Sequence, residues 1–133
     1  MSPQNEVEIE FVTRDICAKH EPGTHHPENA QRLHVIYQWL KDQNIPLTTN
    51  YTVATKDIIT AIHTEQLFNA VKSSQTEPAM FTLDTASNTH TYAAALAAVG
   101  ASVYGMEQST PKKTIVGLVR PPGHHATRTR AMG

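Results

Sequence analysis

The sequence predicts an α/β domain with a short, mainly parallel sheet flanked by helices. Three observations point there. Helical and strand periodicities alternate along the chain in the order β-α-β-α-α-loop-α-β. The run TIVGLV at 114–119 is continuously apolar, as in strands covered on both faces, whereas one-sided strands alternate. And 133 residues suffice for one hydrophobic core but not two, with neither internal repeat nor linker to divide them. Right-handed crossovers then connect the strands of an open α/β layer.

Each element has a local signature. Val7, Ile9 and Phe11 alternate with Glu8 and Glu10, the period of a first strand. A polar, histidine-containing loop covers 14–26. Pro27 suits the first turn of a helix and Glu28 suits its positive end. Leu33, Ile36, Tyr37 and Leu40 then line one face, and Asn44 with Pro46 stops the helix. A short second strand is expected at 50–54. Thr55 and Thr64 are N-caps of the right type for two short helices, the first over 56–63 and the second carrying Leu67, Phe68 and Val71. The Ser-, Thr-, Pro- and Asn-rich stretch 73–90 reads as an extended loop. The clearest helix is 91–107, where Tyr92, Ala95, Leu96, Val99, Val103 and Met106 form one stripe. The alanines beside it allow close approach to a sheet.

Composition excludes several function classes. A net charge of −1 offers no global field for nucleic acid or an anionic membrane. After Glu107 the chain carries Lys112, Lys113, Arg120, Arg128 and Arg130 with no acid, a basic tail that reads as a solvated end. One cysteine, Cys17, rules out an intramolecular disulfide and a cysteine-rich zinc module, and it reads as a bystander, not a nucleophile. The acidic N-terminus lacks the apolar core of a secretory signal, and no run approaches the roughly 20 apolar residues of a membrane span. A reducing cytoplasm is the expected location.

Eight histidines leave two adjacent pairs, His25-His26 and His124-His125. Imidazoles titrate near neutrality, so a pair can supply a base and an acid or electrostatic partner. The second pair has the better setting, because ligands in open α/β sheets bind beyond the carboxyl ends of strands. Pro121 and Pro122 fix the backbone before it, and Gly123 allows a ligand to approach. On spacing alone, a functional and a structural loop fit equally well. Metal spacing is missing: there is no His-x-x-x-His and no Asp-x-His, and a site from His20, His25 and Glu28 would have to be assembled in space. The nucleophile elbow, phosphate loop and dinucleotide fingerprint are absent as well.

RPPGHHA at 120–126 is similar to the tandem-histidine motif of the histone deacetylase family, in its class II and bacterial acetylpolyamine amidohydrolase-like branch. HEPGTHHPENAQRL at 20–33 resembles that family's first loop and helix, with Ala30 where proline is usual. AIHTEQLFNAV at 61–71 resembles the helix segment that follows. LDT at 83–85 and TYAAALAAVGA at 91–101 resemble its Asp-Thr loop and alanine-rich helix. The resemblance implies a three-layer, arginase-like α/β fold and zinc-dependent hydrolysis of acetyl-lysine or acetylated polyamines. By the same match His124 and His125 flank the reacting water as general base and electrostatic partner, Asp84 binds the substrate backbone at the rim, and Gly133 lines the acetyl-lysine channel.

The family's zinc ligands, an Asp-x-His pair and a second aspartate, belong downstream of the tandem histidines, as does its transition-state tyrosine. The 133 residues hold none of them, so the chain reads as a truncated N-terminal part of the domain. The expectation is a chain with no zinc site of its own and no deacetylase activity alone. It would act as a homo-oligomeric binding module, a dimer formed through an exposed sheet edge, with an acetylated amine as ligand. One half of a split zinc enzyme, or a hydrolase with a separate histidine-based site, are the alternatives.

Overall fold

A computed structural model describes residues 6–133. Part of the N-terminal stretch read for a signal, residues 1–5, lies outside the described residues. The element order is β1 (Glu8–Val12), a single 3-10 turn (Asp15–Ala18), α1 (Gln31–Asp42), β2 (Leu47–Thr48), α2 (Lys56–Thr60), α3 (Glu65–Ser73), β3 (Met80–Thr82), β4 (Thr85–Ala86), α4 (Thr91–Gln108) and β5 (Lys113–Gly117). The main sheet has the order β2-β1-β5 and is parallel throughout, with Phe11 opposite Leu47 on one side and Val116 on the other. The predicted α/β class with a parallel sheet is therefore present.

Helices cover both faces of this sheet. Phe11, Leu47 and Val116 pack with Leu33 and Leu40 of α1. Val12 and Ile115 pack with Ala101 and Tyr104 of α4. The apolar stripe of α1 thus works as its spacing predicts, with Leu33 and Leu40 buried and Ile36 and Tyr37 against the same cluster. Thr55 and Thr64 cap α2 and α3, accepting hydrogen bonds from Ile58 N (3.4 Å) and Leu67 N (3.2 Å).

Five expectations need correction. The first helix starts at Gln31, four residues beyond Pro27: Asn29 Oδ1 accepts the Gln31 N–H, and Glu28 is drawn away to another partner. The second strand is Leu47–Thr48, not 50–54. The later segment instead lies along α4, where Ala54 N–H donates to Leu96 O and the Tyr51 hydroxyl to Ala97 O. Gly100 makes that approach possible, since a Cβ there would stand 2.5 Å from Thr52 O. The stretch 73–90 contains the antiparallel hairpin β3–β4.

α4 buries its alanine side (Ala94, Ala97, Ala101), while the larger stripe stays partly exposed and Met106 is largely exposed. Small side chains win the sheet contact because they let the helix backbone come close. Finally, β5 is covered unevenly. It is an edge strand among the described residues, so Thr114 and Gly117 are exposed while Ile115 and Val116 are half-buried.

Candidate active site

The chain leaving β5 passes through Leu118 and Val119 and then buries Arg120 completely. A guanidinium without water must have all its donors met. Nε donates to Glu28 Oε1 (2.8 Å) and Nη2 to Glu28 Oε2 (2.9 Å), a bidentate pair. Nη1 donates to Cys17 O (3.1 Å) and His20 O (2.8 Å). Arg120 therefore ties the end of β5 to the loop at 17–28. It does not belong to a solvated basic tail, and Glu28 serves this pair, not the helix dipole. The Arg120–Pro121 peptide is cis.

The loop after Arg120 is closed on itself. Gly123 N–H donates to Gly133 O (2.9 Å), His125 N–H to Met132 O (3.2 Å), and Thr127 N–H to Arg130 O (3.0 Å). Its far side is strapped to the α2–α3 turn. Thr64 N–H donates to Arg128 O (3.0 Å), His63 Nδ1 meets Thr127 O (2.9 Å), and Arg128 Nη1 reaches Ile62 O (3.3 Å).

His124 and His125 are exposed at this loop, their ring centroids 4.1 Å apart. Gly133, at φ +91°, faces them so closely that a Cβ would stand 3.1 Å from both His124 Nδ1 and His125 N. Asp84 is exposed in the turn of the β3–β4 hairpin. Two contacts bring that hairpin to the same place: Gly133 N–H donates to Thr85 Oγ1 (3.1 Å), and His26 Nε2 meets Asp84 O (2.8 Å). Asp84 and Gly133 share the wall of a cavity of about 350 Å³ whose apolar side includes Tyr92, Leu96 and Val99 of α4. Part of the large stripe of α4, from Tyr92 to Val99, thus lines this cavity.

His20 lies buried behind this loop, its Nδ1 2.8 Å from Thr91 Oγ1. Burial, reinforced by the Arg120 charge, lowers its pKa to about 4, so it is neutral near pH 7. With His20 held by Thr91 and Glu28 held by Arg120, the sequence option of a metal at His20, His25 and Glu28 is not assembled. Among the described residues no group of three or more His, Cys, Asp or Glu side chains could hold a metal ion.

Sequence reasoning missed Arg120 and His26 as parts of the site, and it gave Glu28 a helix-dipole or metal role in place of the Arg120 pair. One clue was available: Arg120 directly follows a buried strand, and with no acid after Glu107 any carboxylate partner had to come from upstream.

A family model for the histone deacetylase domain matches residues 26–133. Among solved structures, the chain is similar to the crystal structure of the HDA15 HD domain, at 28% identity and a TM-score of 0.82. That match covers 96% of this chain and 39% of the other, so these residues span well under half the length of that relative. No curated protein matched. Tandem histidines, hairpin aspartate and closing glycine all fall within the matched residues, and the chain belongs to the histone deacetylase domain family.

Proposed function

We propose that these 133 residues form the substrate-lining part of a deacetylase site, able to hold an acetylated amine but not to hydrolyse it alone. In this reading His124 and His125 act as general base and electrostatic partner. The Asp84 carboxylate receives the backbone of the incoming acyl-lysine, and the Gly133 backbone lines the channel. The carrying observation is that Asp84 and Gly133 border one cavity and the tandem histidines touch Gly133, while among the described residues no metal donor set gathers beside them.

The zinc ion implied by the family does not fit the residues present, so no step is routed through one. A positioned imidazole contributes roughly 10²–10⁴ in rate. Amide hydrolysis also needs stabilisation of the developing oxyanion, where one preorganised donor is worth about 3–4 kcal/mol. The imidazole that serves as base cannot supply that donor as well, which leaves the partner ring alone to face the oxyanion. Binding is then the function left to the isolated chain.

The open edge of β5 supports a second reading of partners: two copies pair edge to edge, covering N–H and C=O groups that otherwise face water. A single, buried cysteine suits a reducing cytoplasm for this assembly.

An acetyl-lysine peptide titrated into the chain tests the binding claim, with affinity expected to fall about tenfold in Asp84→Ala. Zinc-dependent turnover by the purified chain that disappears in His124→Ala would overturn the claim of inactivity. Light scattering that finds only monomer at micromolar concentration would remove the dimer.

A further inference from the structure

We propose that the cavity behind the histidine loop is a second binding site, built for an uncharged apolar molecule that carries one hydroxyl group. The inference does not depend on the reading of Asp84 as the substrate-binding rim. Asp84 and Gly133 border the cavity, but neither His124 nor His125 lines it. The bonded backbones of Gly123 and Gly133 form its wall on the histidine side.

Size and lining suit a small apolar body. About 350 Å³ lies at the lower end of the roughly 300–1,000 Å³ of small-molecule sites. Phe68 of α3 and Tyr92 of α4 meet edge to face, their ring centroids 5.9 Å apart. Leu67, Val71, Leu96 and Val99 extend that surface along the same two helices.

One polar atom is left over. His20 lines the cavity and is only 5% exposed. Its Nδ1 is held by Thr91 Oγ1 at 2.8 Å, but among the described residues its Nε2 has no hydrogen-bond partner. Nε2 is not sealed in either, since Arg14 Nε is the one fully enclosed side-chain donor or acceptor left unpaired among those residues. The free edge of the ring therefore opens into the cavity. Its neighbours are engaged. His26 uses both ring nitrogens, on Glu28 N and Asp84 O, and Glu28 is clamped by Arg120. A buried group in this state gains from any ligand that supplies its missing partner.

Charge and tautomer then select the head group. Among the described residues no lysine or arginine lines the cavity, whereas Glu28 and Asp84 do, so a carboxylate would enter unpaired and against like charge. His20 itself is uncharged at neutral pH. Depending on which proton Thr91 shares with Nδ1, Nε2 either donates or accepts. A hydroxyl answers both cases, because it does either.

Calorimetric titration of the full chain with 2-naphthol at about pH 7.5 tests the site, with a Kd below about 1 mM expected. 2-Naphthoate, the same rings with a carboxylate, should bind at least about tenfold more weakly. His20→Phe removes the polar contact and should weaken 2-naphthol about tenfold. Ala95→Phe places a ring in the cavity from α4 and should weaken it by at least as much. In wild-type protein, heteronuclear NMR should show the His20 Nε2 resonance moving as 2-naphthol binds. No binding up to about 1 mM, equal affinity for 2-naphthoate, unchanged affinity in Ala95→Phe, or an unmoved His20 resonance overturns the proposal. Should neither variant fold, the naphthoate comparison and the imidazole resonance decide it in the wild-type chain.

Discussion

Removing one carboxylate from the buried Arg120 pair should cost the fold more than any exposed ion pair could. In Glu28→Gln the guanidinium keeps Cys17 O and His20 O but loses its counter-charge, and one of its two forked donors then faces an amide NH₂. Orphaning one member of a fully buried pair typically costs about 3–5 kcal/mol. Arg120 is completely buried, but the Glu28 side chain is 25% exposed, and Gln retains one acceptor. The expected loss is therefore about 2 kcal/mol, or roughly 8 °C in Tm for a chain of this size.

Arg120→Met should cost about 4 kcal/mol, because it leaves two inward-facing carbonyls without donors. The double variant should lose at least about 1 kcal/mol less than the two singles together, since no charge is then stranded. Urea unfolding followed by circular dichroism at one fixed pH measures all three. A Glu28→Gln loss under about 0.5 kcal/mol, or strict additivity, would refute the claim that this pair anchors the histidine loop.

Two further outcomes follow from the packing. His20 titrates at about 4 in the fold against about 6.5 in an unfolded chain, so between those values the unfolded state binds the extra proton. Its contribution, on the order of 3 kcal/mol, is complete above about pH 6.5 and disappears as pH falls through about 4. Urea titrations at about pH 7 and about pH 4.5 should show a smaller difference in His20→Asn than in wild type, and equal differences would reject the assignment. Gly100→Ala should destabilise by about 3 kcal/mol despite the better helix propensity of alanine. Its Cβ meets backbone atoms, Thr52 O at 2.5 Å and Val53 Cα at 2.8 Å, which cannot swing aside. A neutral or stabilising effect in thermal melts would contradict that contact.

What could be read from the sequence was local. The Thr55 and Thr64 caps, the Leu33–Leu40 face and the apolar run of β5 depend on neighbours within a turn or a strand, so spacing reveals them. Other features depend on chain segments far apart. Residues 47–53 hold several β-formers in a row, and only the fit of Tyr51 and Ala54 against α4 decides that Leu47–Thr48 pairs with β1. The hairpin strands, three and two residues long, are too short to carry a period. The family motifs supplied His124, His125, Asp84 and Gly133. The groups that hold them (Arg120, Glu28 and His26) have no local periodicity to mark them, because their partners lie 58 to 103 residues away in the chain.

The strand order also governs how this chain can be made. β1 occupies the middle of the described sheet, yet its partner β5 is translated after every other described element, with Glu8 and Lys113 more than a hundred residues apart. At about 5–20 residues per second, β1 waits roughly five to twenty seconds beside the ribosome with one edge open. Among the described residues only the two-residue β2 can cover its other edge in that interval. Folding of the sheet is then a late, long-range event. During that interval the unpaired edge of β1 is open to pairing with other extended segments.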